Sequence, residues 1–262
     1  MQHKFGSFTM TVDVDGVASV VFSRPPVNAV SISVYEDIGA LCGAIEAEPE
    51  IRVVVLTAPD GAKAWCGGAD LNDFVGMTSE KRKERYRFIN EQIPRLGNLE
   101  RPIIAAINGA AIGVGVILAA LCDLRIAAED AVFACPEIDY GLVGGGSGLL
   151  ASLNVPQAKI REMYFTGERF TARQLETTGF FNYVVPRADV QAKAMELART
   201  IAGKSLPAIR ARKVASIAEA GQDWMDTYLD CQALSADLVA GIDSGEGVRA
   251  FLEGRRARFI DR

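Results

Sequence analysis

Histidine is nearly absent from this 262-residue chain: there is one, His3, close to an N-terminus that reads as loosely held. Without a second imidazole, Ser–His–Asp and Cys–His catalysis have almost no footing, and metal sites built from several histidines are excluded. Cysteine is sparse as well. Cys42, Cys66, Cys122, Cys135 and Cys231 are far apart, odd in number and form no CxxC. They read as buried free thiols in a reducing, cytoplasmic setting. Basic charge is short, with 28 Lys and Arg against 33 Asp and Glu, a net charge of −5 and a pI near 5.1. No nucleic-acid partner is expected from that balance. The opening MQHKFGSF lacks an apolar h-region, so secretion is not expected either.

One uncharged run, the twenty residues from Ile103 to Cys122, approaches the length of a membrane span. Asn108, Gly109, Gly113 and Gly115 interrupt it, so it reads as a buried strand, a tight turn and the start of a buried helix, with no membrane partner. A composition 49% hydrophobic and 23% charged is that of a globular protein of one to two domains.

Phe8 to Val14 and Val17 to Phe22 are apolar runs joined by Asp15-Gly16, a hairpin signal. Ser33 with Glu36 predicts a capping box opening a helix to about Glu48. Val53 to Thr57 and Ile103 to Ile107 predict buried strands, and Ala58 to Asp70 predicts a loop. Residues 79 to 97 open on SEKRKERYR, expected to be a solvated helix face. A helix over Gly113 to Leu121, strands at Leu124 to Ala127 and Ala131 to Ala134, and a helix after Pro156 follow. Thr171 and Gln174 cap a helix ending at Gly179, and Tyr183 to Val185 is a last strand before a helical tail. Strands alternating with helices define an α/β class, with a change of character near residue 200. No sequence repeat at a fixed period is evident.

Several motifs fail on inspection. Gly113-Val-Gly115 lacks the third glycine of GxGxxG, because Leu118 stands there. The glycines from 141 to 148 lead to no Lys-Ser or Lys-Thr, and Gly145-Gly146-Ser147 is not a nucleophile elbow. Two loops after buried strands remain, Lys63-Ala-Trp-Cys-Gly-Gly-Ala-Asp70 and Asn108-Gly-Ala-Ala-Ile-Gly-Val-Gly115. They are either unrelated turns or two sources of main-chain N–H groups converging on one oxygen that gains charge, as in an enolate. Glu137, in Phe133-Ala-Cys-Pro-Glu-Ile, is either an exposed loop residue or a carboxylate whose apolar neighbours raise its pKa for proton transfer.

The ordered set WCGGAD, PIIAAINGAAIGVG, CDLRIA and FACPEIDYGL, spanning from RPPVNA at 24–29 to FLEGRRARF at 251–259, resembles the enoyl-CoA hydratase/isomerase (crotonase) superfamily. The resemblance implies a spiral of ββα units over residues 1–200 and a helical oligomerisation region over 201–262. It implies a homotrimer or dimer of trimers. It also implies an acyl-CoA substrate, with coenzyme A as part of the substrate and no further cofactor or metal. The N–H groups of Ala69 and Val114 would hold the thioester oxygen, with Glu137 as acid/base. Val27, Lys63, Gly67, Gly68, Asp70, Gly113, Gly145 and Phe251 would meet substrate or CoA, Phe251 often from a neighbouring subunit.

The departures bear on the reaction. Hydratases of this family usually carry two glutamates; Glu137 matches the second, and Ile117 stands where the first would fall. Val114 replaces a glycine, Asn72 and Gly254 replace lysines, and Gly145 replaces the further aspartate of the dienoyl-CoA isomerase branch. A single carboxylate suits a 3-enoyl to 2-enoyl shift better than hydration. Hydration helped by Tyr140 or Asp139, decarboxylation, thioester hydrolysis, and a non-catalytic CoA-binding oligomer are the alternatives. Phe74 to Leu96 is expected to shape the acyl pocket. Arg249, Arg255, Arg256, Arg258 and Arg262 cluster at the chain's end, expected at the surface or in subunit contacts.

Overall fold

The computed structural model describes residues 2–220 and 223–259; Arg262, counted in the basic cluster above, lies outside them. The strands are β1 (Gln2–Phe5), β2 (Phe8–Val12), β3 (Val17–Phe22), β4 (Val53–Thr57), β5 (Ala64–Cys66), β6 (Ile103–Ile107), β7 (Ala110–Ile112), β8 (Leu124–Ala128), β9 (Val132–Ala134), β10 (Phe170–Thr171) and β11 (Tyr183–Val185). The helices are α1 (Ile32–Ala47), α2 (Ser79–Gly97), α3 (Val114–Leu121), α4 (Ser147–Ser152), α5 (Gln157–Thr166), α6 (Ala172–Leu175), α7 (Val190–Ala202), α8 (Leu206–Ala220), α9 (Asp223–Leu238) and α10 (Ile242–Leu252).

Two sheets form. The larger runs β1-β2-β3-β4-β6-β8-β11, and the smaller runs β10-β9-β7-β5. Three successive strand pairs, β4/β5, β6/β7 and β8/β9, each send their first strand to the large sheet and their second to the small one. A helix follows each pair, which produces the crotonase-like spiral. The turns of the spiral differ in length, so the unit repeats in space and not at a fixed spacing in sequence. β4, β6 and β8 are parallel neighbours, buried along nearly their whole length, which explains their near-continuous Val, Ile and Ala runs. The charge-free run from Ile103 to Cys122 resolves into β6, β7 and α3. No helix among the described residues is long and apolar enough to cross a membrane.

Local expectations fail where tertiary pairing outweighs short-range signals. His3 is not in a loose tail: it pairs with Met10 in the β1–β2 ladder. The β2–β3 ladder ends at Val12 opposite Ala18, with Asp13 to Gly16 as its loop, so the turn is four residues long. The Asp13 carboxylate accepts from the N–H groups of Asp15 and Val17, a side-chain turn that the Asp-Gly pair alone does not reveal. The first helix is capped at Ser31, whose hydroxyl bonds to that of Ser33, rather than by a Ser33–Glu36 box. The Thr171–Gln174 box is present. β5 and β7 occupy segments that read as loop and turn, because three-residue strands carry too little periodicity to register.

Phe133 on β9 is fully buried and meets Phe181 at 4.9 Å and Phe180 at 6.1 Å between ring centroids. It fixes the strand that delivers Glu137. Phe133→Ala is expected to cost about 3–5 kcal/mol, measured by urea unfolding; a loss under about 1 kcal/mol would show that the strand is held by other contacts.

Candidate active site

β5 and β7 are parallel neighbours, with Ala64 opposite Ala110 and Cys66 opposite Ala111, so the loops that follow them leave the sheet on one side. They touch through backbone. A Cβ on Gly68, whose φ is +93°, would lie 2.9 Å from the Ile112 carbonyl oxygen, and one on Gly115 would lie 2.5 Å from that of Cys66. The Val30 N–H donates to the Gly68 carbonyl at 2.7 Å, and the Asp70 N–H donates to the Val30 carbonyl at 3.0 Å. These bonds pin the chain on either side of Ala69 and leave its own N–H unused. Val114 is the first residue of α3, where the helix supplies no acceptor for an N–H. Among the described residues, neither the Ala69 nor the Val114 N–H donates to a protein acceptor. Gly113 joins β7 to α3 at φ +53° and ψ −114°, a conformation that a side chain would oppose.

Both amides line a cavity of about 500 Å³. Glu137 lines it too, from the short 3₁₀ turn Pro136–Tyr140 that follows β9. Two glycines make room for its carboxylate: a Cβ on Gly113 would sit 2.7 Å from Oε1, and one on Gly144 would sit 2.9 Å from Oε2. Oε2 is shielded and has no hydrogen-bond partner. Burial pushes this carboxyl up to about 7; the Asp139 charge adds to the rise, while its own backbone N–H and Arg82 oppose it.

Every residue expected to meet substrate, from Val27 and Lys63 to Phe251, borders this one cavity. Val27 and Lys63 are exposed at its rim. Gly67 lies against Val27, where a Cβ would stand 2.5 Å from the carbonyl oxygen. The Asp70 carboxylate is committed to bracing the loop, bonded to Arg24 at 2.9 Å and to the Asn72 side chain at 2.9 Å. Gly145 faces the Tyr228 ring, 2.6 Å from where a Cβ would be, so no aspartate fits there. Phe251 reaches the cavity from the chain's own α10, edge-on to Tyr140 at 5.5 Å. Ile117 is buried and borders the cavity, offering no hydrogen bond to a water there. Tyr140 lines the cavity, whereas Asp139 is exposed and turned toward Gly167.

The expectation of a solvated face at the start of α2 needs correction. Arg82 is buried, and Arg82, Arg85 and Tyr86 line the cavity together with Tyr228 and Gln232 of α9. The spacing of Arg82, Tyr86, Ile89, Ile93 and Leu96 continues the apolar stripe of α2 into the charged run, and that was the available signal. Phe74 to Leu96 does shape the pocket.

The model of the enoyl-CoA hydratase/isomerase family matches residues 13–262. YngF of Bacillus subtilis, which carries that family's name, is 34% identical over 254 residues, 96% of this chain and 97% of its own. The short-chain-enoyl-CoA hydratase of Clostridium acetobutylicum is 30% identical over 92% of each chain. A solved enoyl-CoA hydratase from Bacillus anthracis superposes with a TM-score of 0.76 at 30% identity, covering 97% of this chain and 98% of that one. The chain belongs to the enoyl-CoA hydratase/isomerase family, and it is an acyl-CoA enzyme.

The raised Glu137 pKa has a stability consequence. The folded chain favours the acid form, so the contribution is complete below the ordinary value of 4.5 and is lost as pH rises through about 7. Glu137→Gln is therefore expected to stabilise the ligand-free protein by on the order of 3 kcal/mol at pH 8 and hardly at all at pH 4.5. Urea unfolding at both pH values measures it, and equal effects at the two would contradict the burial of the carboxylate.

Proposed function

We propose that the protein isomerises 3-enoyl-CoA to 2-enoyl-CoA, using Glu137 as its one acid/base. The observation that carries this reading is the single unpaired carboxylate on a cavity wall where Ile117 occupies the other family position. Glu137 in its base form removes a proton from C2, and the C2–H electrons move toward the thioester. The oxygen of the resulting dienolate accepts from the N–H groups of Ala69 and Val114. The same carboxyl returns the proton at C4, the double bond moves to C2–C3, and Glu137 is a base again. Coenzyme A enters as part of the substrate, the exposed Lys63 at the rim meets its phosphates, and no further cofactor takes part. Leu229, Leu234 and Leu238 of α9 and Ile242 of α10 are exposed apolar residues. They support assembly through the region from residue 201 onward into a homotrimer or dimer of trimers.

A second reading, hydration with Glu137 alone, is favoured by the hydratase names of the relatives. Assays with 3-hexenoyl-CoA and crotonyl-CoA separate the two. Isomerisation is expected to be the faster, and a faster hydration would replace it with the second reading. Glu137→Gln should lower kcat about 10³-fold. Val114→Pro deletes one oxyanion donor at a first helical position where proline fits, and should lower kcat about 10²–10³-fold with the fold intact. The rate at limiting substrate should rise with pH to a plateau, with a midpoint near 7.

A further inference from the structure

The acyl-CoA reading of the cavity leaves one buried cation without a role. Arg82 lines the cavity and is 5% exposed. Its Nε and Nη2 donate to the Tyr86 hydroxyl at 3.0 and 2.8 Å, and Nη2 also donates to the Ser235 hydroxyl at 3.2 Å. Nη1 is shielded and donates to nothing. The guanidinium lies over the rings of Phe74, at 4.3 Å, and Tyr86, at 5.0 Å. Every hydrogen-bond acceptor it has is neutral, and none of the ion pairs among the described residues includes it.

Its neighbours are treated differently. Arg85, over the same Phe74 ring at 5.4 Å, is neutralised by Asp73 at 2.7 Å. Arg24 is neutralised by Asp70. Lys63 and Arg169 are in water at the rim. Glu137 is close enough to feel the Arg82 charge, yet it makes no hydrogen bond to it, and burial favours its uncharged form. A buried guanidinium with an unused donor and no anion is costly unless a ligand supplies the anion. The surrounding wall is polar as well. The Gln232 and Asn90 amides exchange two bonds of 2.8 Å behind it, and Tyr228 stands beside Gln232. A wholly apolar acyl chain would desolvate this wall without making a bond to it.

We propose that the substrate's acyl group ends in a carboxylate, so that the site takes CoA thioesters of dicarboxylic acids, with Arg82 receiving the terminal carboxylate. The proposal rests on the acyl-CoA reading of the cavity and not on the choice between isomerisation and hydration. A guanidinium matches a carboxylate with parallel donors, and Nη1 has no acceptor among the described residues.

Saturated thioesters test this without any turnover, because they have no double bond to move or hydrate. Succinyl-, glutaryl- and adipyl-CoA are compared with butyryl-, pentanoyl- and hexanoyl-CoA, carbon for carbon, by titration calorimetry on the full-length protein. At least one dicarboxylyl thioester is expected to bind about tenfold or more tightly than its apolar counterpart. Arg82→Met should abolish that preference, and Arg82→Lys should retain part of it. Tighter binding of the apolar member in every pair overturns the proposal from the unmutated protein alone. So does a preference that survives in Arg82→Met. If CoA thioesters of both kinds fail to bind, the acyl-CoA reading itself falls.

Discussion

Two main-chain N–H groups, on Ala69 and Val114, have no acceptor among the described residues, and the surrounding structure keeps them that way. An unpaired amide in a sheltered place is normally avoided. Here the Val30 bridge uses up the hydrogen-bonding capacity on both sides of Ala69, and the start of α3 denies Val114 an intrahelical partner. The two loops can stand this close only because Gly68 and Gly115 present no side chain to the backbone opposite. The spiral of strand pairs serves this arrangement, placing β5, β7 and β9 side by side so that both loops and Glu137 open into one cavity.

Charge in that cavity is arranged against the expectation for an acidic protein. The Glu137 carboxyl is shifted toward neutrality by burial, two arginines are neutralised by aspartates, and Arg82 has no anion bonded to it among the described residues. Glu137 and the unneutralised cation line the same cavity. A ligand that supplies negative charge, at the thioester oxygen as the reaction proceeds and at the acyl tail throughout, answers both features. The rim cations fit the phosphates of CoA, while the buried cation requires something inside.

Much of this was legible in sequence, and the reasons differ by element. The parallel strands β4, β6 and β8 announce themselves because burial on both faces leaves them almost wholly apolar, with Thr57 and Arg125 as their polar residues. The two loops and Glu137 were visible through the ordered motifs, and their placement around one cavity follows from strand pairing that no local pattern encodes. Three-residue strands such as β5 and β7 were lost because period-two alternation needs a longer stretch. The charge run at the start of α2 misled because Lys81, Lys83, Glu84 and Arg87 do face water, while Arg82 between them turns inward on the stripe that Ile89 and Ile93 continue. Gln232 lies 142 residues beyond Asn90 of α2, and only packing brings it and Tyr228 to the site.

The central claim is that this cavity stabilises a thioester enolate formed by Glu137. Exchange of the C2 protons of butyryl-CoA in deuterated water, followed by proton NMR, reads that step directly and does not depend on which enoyl-CoA is the substrate. The account predicts C2-selective exchange with the unmodified enzyme, steep loss of it in Glu137→Gln, and a marked decrease in Val114→Pro. Absence of exchange in the unmodified enzyme, under conditions where the thioester is bound, would contradict it.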